Sequence, residues 1–407
     1  MQGLFRQNKA FRLLLAYRFF SGLGGGIFSF FMLLSVHLLY QNPIYTGIAG
    51  FLITSPFIFS FAVGPIVDRG NKVAIMRITT VLEFVVLGAL VFIPFQENFG
   101  VVFMFAVIFI YSIAALFEVP ASKALLPQIV DGEKIVEANS LMQIVTLVGG
   151  IAIAVVLFVM LEDGADFIFL YGLSAAFLAI AFLFSLALKK PQVGTDVAKT
   201  SYIDDLKAGG KFICSNVLFY ITIAMVVKAF VVQVASVNMP AFAEYHVGAR
   251  GYVVIGVVGM AGGLLASSLV GMFGKSFKIG QLLLVLFALA GGARIGFVHF
   301  LPENYHRGLG MLLLFAALNT ATGIVFQSLG QKIPPKDMVA RVDTLSTSVV
   351  AIFVSLGALA GGFMGSIVSD IRDIFVYQGI SFIIIGVLIF LVPAVRKLGK
   401  VNDIKND

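Results

Sequence analysis

Charge is scarce in this chain. Only 12% of its 407 residues are Asp, Glu, Lys or Arg, about half the share that a soluble domain carries. Tryptophan is absent, Cys214 is the one cysteine, and the four histidines (His37, His246, His299, His306) are scattered. A single cysteine excludes an internal disulfide, and histidines so dispersed cannot assemble a Cys/His zinc cluster, so no metal and no cofactor is expected. What the chain has in quantity is apolar surface: 59% of its residues are hydrophobic. That balance excludes an ordinary soluble fold.

A bilayer-spanning helix takes about 20 apolar residues. Runs of that kind stand near 12–39, 44–66, 73–95, 100–125, 137–161, 166–188, 214–240, 252–273, 279–301, 308–330, 341–368 and 374–394, which predicts an all-α membrane protein of twelve transmembrane helices. Of the 28 basic residues, all but six fall with the termini and alternate loops. Arg250, Arg307 and Arg372 lie on the opposite side, and Arg18, Lys228 and Arg294 lie within spans. The positive-inside rule then puts both termini in the cytoplasm of a multi-pass protein of the cell's inner membrane. The first run is too long for a signal peptide. The net charge of +7 is explained by topology, and no nucleic-acid partner is expected.

The longest polar interruption, residues 189–211, falls at mid-chain and reads as a cytoplasmic linker between six-helix halves at 1–188 and 212–407. Sliding the chain on itself by half its length sets IVDGEKIVEANSL (129–141) over IPPKDMVARVDTL (333–345). Ile129 meets Ile333, Glu133 meets Asp337, and both segments open the fifth span of their half, as a duplication requires.

Between the second and third runs stands GPIVDRGNK, residues 64–72. Gly64 would permit close helix approach, Asp68 could cap the next helix or pair across a domain interface, and Arg69 and Lys72 would stay on the cytoplasmic side. With twelve spans, a central linker and a half-chain repeat, this segment resembles the loop motif of the major facilitator superfamily. The copy expected after the eighth span, GMFGKSFK (271–278), lacks a carboxylate. A finer resemblance, carried by AYRFFSGLGGGIF (16–28) and VPASKALLPQIVDGEKIVEANSL (119–141), is to the branch of macrolide-efflux proteins and the enterobactin exporter. The chain departs from that pattern where it reads Gly22-Leu23-Gly24-Gly25-Gly26 in place of an acid, and where no proline follows Gly149-Gly150. The resemblance implies two pseudo-symmetric six-helix bundles, alternating access, a small-molecule substrate, protons as the driving ion, and a monomer in the lipid bilayer.

Polar residues inside the spans fall in stripes. Arg18, Gly22, Gly25 and Ser29 share one face of the first span. Tyr111, Ala115, Glu118 and Ser122 do so on the fourth, and Asn139, Gln143, Thr146 and Gly150 on the fifth. An unpaired charge at the depth of Arg18 or Glu118 costs several kcal/mol, so a pair or a wet cavity is expected there. Asn319, Gly323, Gln327 and Gly330 form a looser stripe on the tenth span, continued by Asp343 and Thr347 on the eleventh. Lys228 sits mid-span in the seventh, on a different face from Thr222, Gln233 and Ser236. Glu83, beside Thr79 and Thr80, and Arg294 occupy spans that the family fold places peripherally, and packing roles are expected for both. Glycines at 256, 259, 262 and 263 and at 357, 361 and 365 permit tight helix packing. GMFGKS (271–276) lacks the first glycine of a phosphate loop, and no nucleophile elbow or paired-carboxylate site is present, so an enzyme is not expected. The expected function is secondary export of small amphipathic molecules, drug-like or macrolide-like, by proton antiport. Export of an anionic metabolite such as a siderophore is the alternative, and a membrane enzyme or sensor a remote one.

Overall fold

The computed structural model describes residues 8–92, 98–161, 167–189, 202–273, 277–335 and 338–400. Among them there are helices and no strands. Twelve are long and apolar enough to cross a membrane. In order they are α1 (Lys9–Tyr40), α2 (Pro43–Thr54, a 3-10 stretch Ser55–Phe59, then Ser60–Arg69), α3 (Lys72–Leu90), α4 (Asn98–Ile129), α5 (Ile135–Met160) and α6 (Phe167–Ala187). The second series is α7 (Leu218–Ser236), α8 (Met239–Phe273), α9 (Ile279–Glu303), α10 (Tyr305–Lys332), α11 (Val339–Ile367) and α12 (Arg372–Leu391).

The chain forms two compact units. One comprises residues up to Gln41 together with Leu52–Lys199; the other comprises Asn42–Phe51 together with everything from Thr200 onward. In the first unit, Phe11, Leu14 and Tyr17 of α1 pack with Val73 and Met76 of α3 and Leu125 of α4. The core of the second is built on α9, with Phe287 and Phe297 against Phe326 of α10 and Phe375 and Phe382 of α12. Asn42–Phe51 belongs to the second unit because its glycine fits there: a Cβ on Gly47 would stand 2.6 Å from the Gly362 Cα and 2.9 Å from the Ala358 carbonyl oxygen of α11.

Helix starts follow short-range capping. The Asn8, Asn71 and Asn304 side chains accept hydrogen bonds from the N–H groups of Phe11, Ala74 and Arg307 at 2.9, 3.3 and 3.0 Å, satisfying donors that have no intrahelical partner. Arg77 closes the far end of α6, with Nε on the Ser185 carbonyl (3.1 Å) and Nη2 on those of Leu186 and Leu188 (3.1 and 2.9 Å). A cation there also meets the negative end of the helix dipole.

Several expectations change. The eighth span begins at Met239, not near 252, because AFAEYHV contains no helix breaker; the chain bends instead at Gly248, whose φ of 73° is the left-handed region that glycine alone adopts freely. The linker is not all loop, since Tyr202–Cys214 is helical and lies on α11, with a Cβ at Gly209 reaching 3.1 Å from the Arg341 carbonyl. Residues 190–201, 274–276 and 336–337 and the side chains of Asp68 and Glu133 lie outside the described residues. The proposed repeat has a physical counterpart: α5 starts at Ile135 and α11 at Val339, 204 positions on, each after a residue of nearly the same conformation (Lys134 φ −100°, ψ 0°; Met338 φ −104°, ψ −13°).

The glycine run in α1 is a packing device. Consecutive residues of a helix point 100° apart, and Gly24, Gly25 and Gly26 each receive a different neighbour. Gly24 faces Ser174 and Leu178 of α6, Gly25 faces the Tyr111 hydroxyl of α4, and Gly26 faces Ile153 of α5. Ser174 Oγ seals the first contact with a hydrogen bond to the Gly24 carbonyl at 2.6 Å.

Candidate functional site

The start of α1 is tied to the end of α4, because the Asn8 amide donates to the Ile129 carbonyl at 2.6 Å. That anchor sets the register in which the polar stripes of the two helices meet. Arg18 Nη1 donates to Ser122 Oγ at 3.3 Å and stands 3.7 Å from Glu118 Oε2. Ser21, one turn on from Arg18, donates to Glu118 Oε1 at 3.2 Å. Pro120, two residues past Glu118, has no N–H to offer the helix and so loosens α4 there. Glu118 is 5% exposed, whereas the Arg18 side chain keeps 26% of its surface open. The carboxyl is thus held inside the unit and the guanidinium stands at its opening.

That opening is a cavity of about 240 Å³ lined by Arg18, Ser122, Lys123, Leu126, Asn139, Met142, Gln143 and Thr146. The stripes of α1, α4 and α5 therefore converge on one polar recess. Tyr111 does not line it. Seven residues before Glu118, it turns its hydroxyl over Gly25 and its ring against Phe28, with centroids 3.9 Å apart. Glu83, for which the sequence suggests a packing role, is 2% exposed and lies within electrostatic reach of Glu118, Tyr17 and Tyr111. On the same face of α3, Thr80 bonds the Tyr17 hydroxyl at 2.8 Å.

In the second unit Lys228 turns toward α10. Its Nζ donates to the Asn319 carbonyl at 2.7 Å and to Thr322 Oγ1 at 2.6 Å, and no carboxylate pairs with it among the described residues. The Asn319 side-chain oxygen is buried without a hydrogen-bond partner. Gln327, Asp343 and Thr347 are exposed and do not join this group. Thr222, off the Lys228 face as its spacing requires, lines a separate and almost wholly apolar groove of about 390 Å³ with Ile213 and Cys214 of the linker helix and Val349 and Phe353 of α11. Arg294 is 3% exposed: Nε donates to Gln378 Oε1 at 2.6 Å, and the guanidinium lies 4.7 to 5.2 Å from the ring centroids of Phe297, Phe315 and Phe375.

The loop motif divides differently from its sequence reading. Gly64 is exposed and a Cβ there would meet nothing within 4 Å, whereas a Cβ on Gly70 would stand 2.7 Å from the Ile66 carbonyl. The cap of α3 is Asn71, not Asp68, because Asp68 is still in the last turn of α2. Arg69 is exposed, but Lys72 is 6% exposed and buried at the start of α3. Ser21 and Thr322 belong to none of the stripes read from the sequence; each stands three residues after a member of one, Arg18 and Asn319, and that spacing is the signal that points to them.

The fold is similar to several solved structures. They include the nucleoside transporter NupG (TM-score 0.71, 15% identity, 96% of this chain and 99% of that one) and a bacterial homologue of the iron transporter ferroportin in inward-facing state (0.74, 12%, 94% and 98%). A bacterial homologue of the human lysosomal transporter Spinster is a third (0.67, 14%, 95% and 95%). No curated protein sequence matches the chain. The family model described as Major Facilitator Superfamily matches residues 14–348, and with that match across most of its length the chain belongs to this superfamily of membrane transporters.

Proposed function

We propose that the protein exports small amphipathic molecules from the cytoplasm by proton antiport, with Glu118 as the carboxyl that exchanges its proton for substrate. The observation that carries this reading is the placement of Glu118. It is a buried acid held by Ser21 and Arg18 directly behind a polar cavity, so a ligand that engages Arg18 or Ser122 alters the groups around the carboxyl. Export is supported by the likeness of residues 16–28 and 119–141 to macrolide-efflux and enterobactin-exporter proteins, and an amphipathic substrate by the mixed lining of the cavity, where Leu126 and Met142 stand beside Arg18, Asn139 and Gln143.

The test uses purified protein in proteoliposomes with a radiolabelled macrolide and an imposed pH difference. Glu118→Gln keeps the shape of the protonated acid; it should abolish accumulation against the gradient while leaving counterflow exchange. Accumulation at the wild-type level in Glu118→Gln would remove the residue from coupling.

One observation favours a second reading, export of an anionic metabolite. Lys228 is a cation in the middle of α7 that bonds only neutral groups among the described residues, and an anionic substrate would supply its missing counter-charge. Preference for a catecholate siderophore over a macrolide in the same vesicles, lost in Lys228→Gln, would select it. The solved neighbours named for nucleoside, iron and peptide transport do not discriminate between the two.

A further inference from the structure

Glu83 has no place in the loop motif, lines neither cavity and stands on a helix expected to be peripheral. It is nonetheless buried, and among the described residues it makes no hydrogen bond and no ion pair. Its surroundings follow from two helical spacings. The Tyr17 hydroxyl of α1 bonds Thr80 of α3. One turn beyond Tyr17, Ser21 bonds Glu118; one turn beyond Thr80 stands Glu83. The steps are four and three residues, about 6 and 4.5 Å along the axes, which brings Glu83 to the depth of Glu118 on a neighbouring helix. The titratable groups within electrostatic reach of Glu83 are Tyr17 from α1 and Tyr111 and Glu118 from α4; α6, also packed along α3, contains no charged residue. Glu118 has a cation, Arg18, at 3.7 Å. Glu83 has none.

We infer that Glu83 and Glu118 are one proton-binding pair, in which Glu83 keeps the proton while Arg18 faces Glu118, and passes it to Glu118 when Arg18 turns away. The physical basis is that two buried carboxylates with one cation between them cannot both remain ionised, and the member without a cation or a hydrogen bond is the one that stays neutral. Tyr17 would carry the transfer by exchanging its hydroxyl's bond to Thr80 for one to Glu83, accepting a proton on one side as it donates on the other. Transfer moves one proton from one carboxyl oxygen to another and needs no other reactant. The inference rests on the proposed role of Glu118 but reaches further: it makes the coupling proton resident on a helix that lines neither of the two cavities described above.

Dicyclohexylcarbodiimide, which attacks buried carboxyl groups in their protonated form, tests this on purified full-length protein in detergent at neutral pH, with sites mapped by mass spectrometry. Wild type should be labelled at Glu83 at least about tenfold more than at Glu118, and Glu118→Gln should keep the Glu83 label. Arg18→Gln should divide the label between both positions with the total per chain unchanged. Label confined to Glu118 in wild type overturns the inference, as does absence of label at both. Full independent labelling of both acids in Arg18→Gln also overturns it, because it describes two separate groups. The readout needs no transport, so a failed role for Glu118 in coupling and a failed pair are told apart. Glu83→Gln, used only as a mapping control, is not required to fold.

Discussion

The Tyr111 hydroxyl covers Gly25 so closely that a Cβ on the glycine would lie 2.6 Å from it. Spacing alone assigns both residues to polar stripes facing a cavity. They face each other instead, and α1 and α4 approach at that point because one side has no side chain.

Alanine substitutions along the α1 run should therefore differ at neighbouring positions. Gly24→Ala puts its Cβ 2.8 Å from the Ser174 carbonyl oxygen, backbone that cannot move aside, and should cost about 1–3 kcal/mol. Gly25→Ala must displace a rigid ring and should fall within the same range. Gly26→Ala meets only the end of the Ile153 side chain, which can rotate, and Gly22→Ala meets nothing within 4 Å; both should be milder, with Gly22→Ala near neutral. Melting of the four variants in one detergent ranks them, and a Gly22→Ala loss equal to that of Gly24→Ala would refute the assignment.

The two cations within spans of the second unit, buried Arg294 and part-buried Lys228, should respond oppositely to removal of charge. Arg294→Met leaves Gln378 without its donor, about 1–3 kcal/mol, and loses stacking on three rings, each worth about 0.5–2 kcal/mol, so a marked drop in melting temperature is expected. Lys228→Met removes an ammonium that has no carboxylate partner among the described residues, and should melt at or above wild type. A large loss in Lys228→Met would show that its bonds to Asn319 and Thr322 outweigh the desolvation of the charge.

Within the loop motif, stability and transport should separate. Asn71→Ala removes the cap of α3 and should destabilise by about 1 kcal/mol. Asp68→Asn should leave melting unchanged and slow transport at unchanged substrate affinity. Comparing melting with initial transport rates in both variants checks the division, and wild-type turnover in Asp68→Asn would remove Asp68 from the gating role.

Just before α12, the Asp370 carboxyl is held below its usual range by the side chain of Arg372, whose Nε donates to Oδ2 at 2.8 Å. For a lowered acid the stabilising contribution is complete above the unfolded value, about 3.9, and is lost as pH falls through the folded one. Between about pH 7.5 and pH 8.5 it is constant, clear of the titration range of the His246 imidazole, which lies within electrostatic reach of Asp370. Asp370→Asn should thus lower the melting temperature slightly and equally at both ends of that interval; a pH-dependent difference there would indicate that another group is involved.

Twelve spans are legible in the sequence because apolar runs of spanning length have few other uses, and the pairing of Arg18 with Glu118 is foreshadowed by charges too costly to stand alone at that depth. The helical Tyr202–Cys214 is hidden by composition: YIDDLKAGGKFIC contains as many polar residues as a loop, and its amphipathic face has meaning only once α11 is beside it. The burial of Glu83 is not legible in the sequence, because a peripheral helix need not have a peripheral side chain; Thr80 and Glu83 share the inner face of α3. The extension of α8 back to Met239 is readable in the absence of breakers from Ala241 to Val247, but Gly248 and Gly251 draw the boundary to the wrong side.

The sequence places the seam of the duplication near residue 188, yet Asn42–Phe51 belongs by contact to the second unit. A polypeptide ending at that seam would carry away ten residues of the other unit, with the backbone notch at Gly47 stripped of Gly362. In lipid such a notch is an adhesive surface, since bare backbone at a glycine is what lets helices associate closely. An isolated amino-terminal half should then recruit a substitute, a second copy of itself among them, and a truncated chain meant to study that half alone should carry a larger side chain at residue 47 to close the gap.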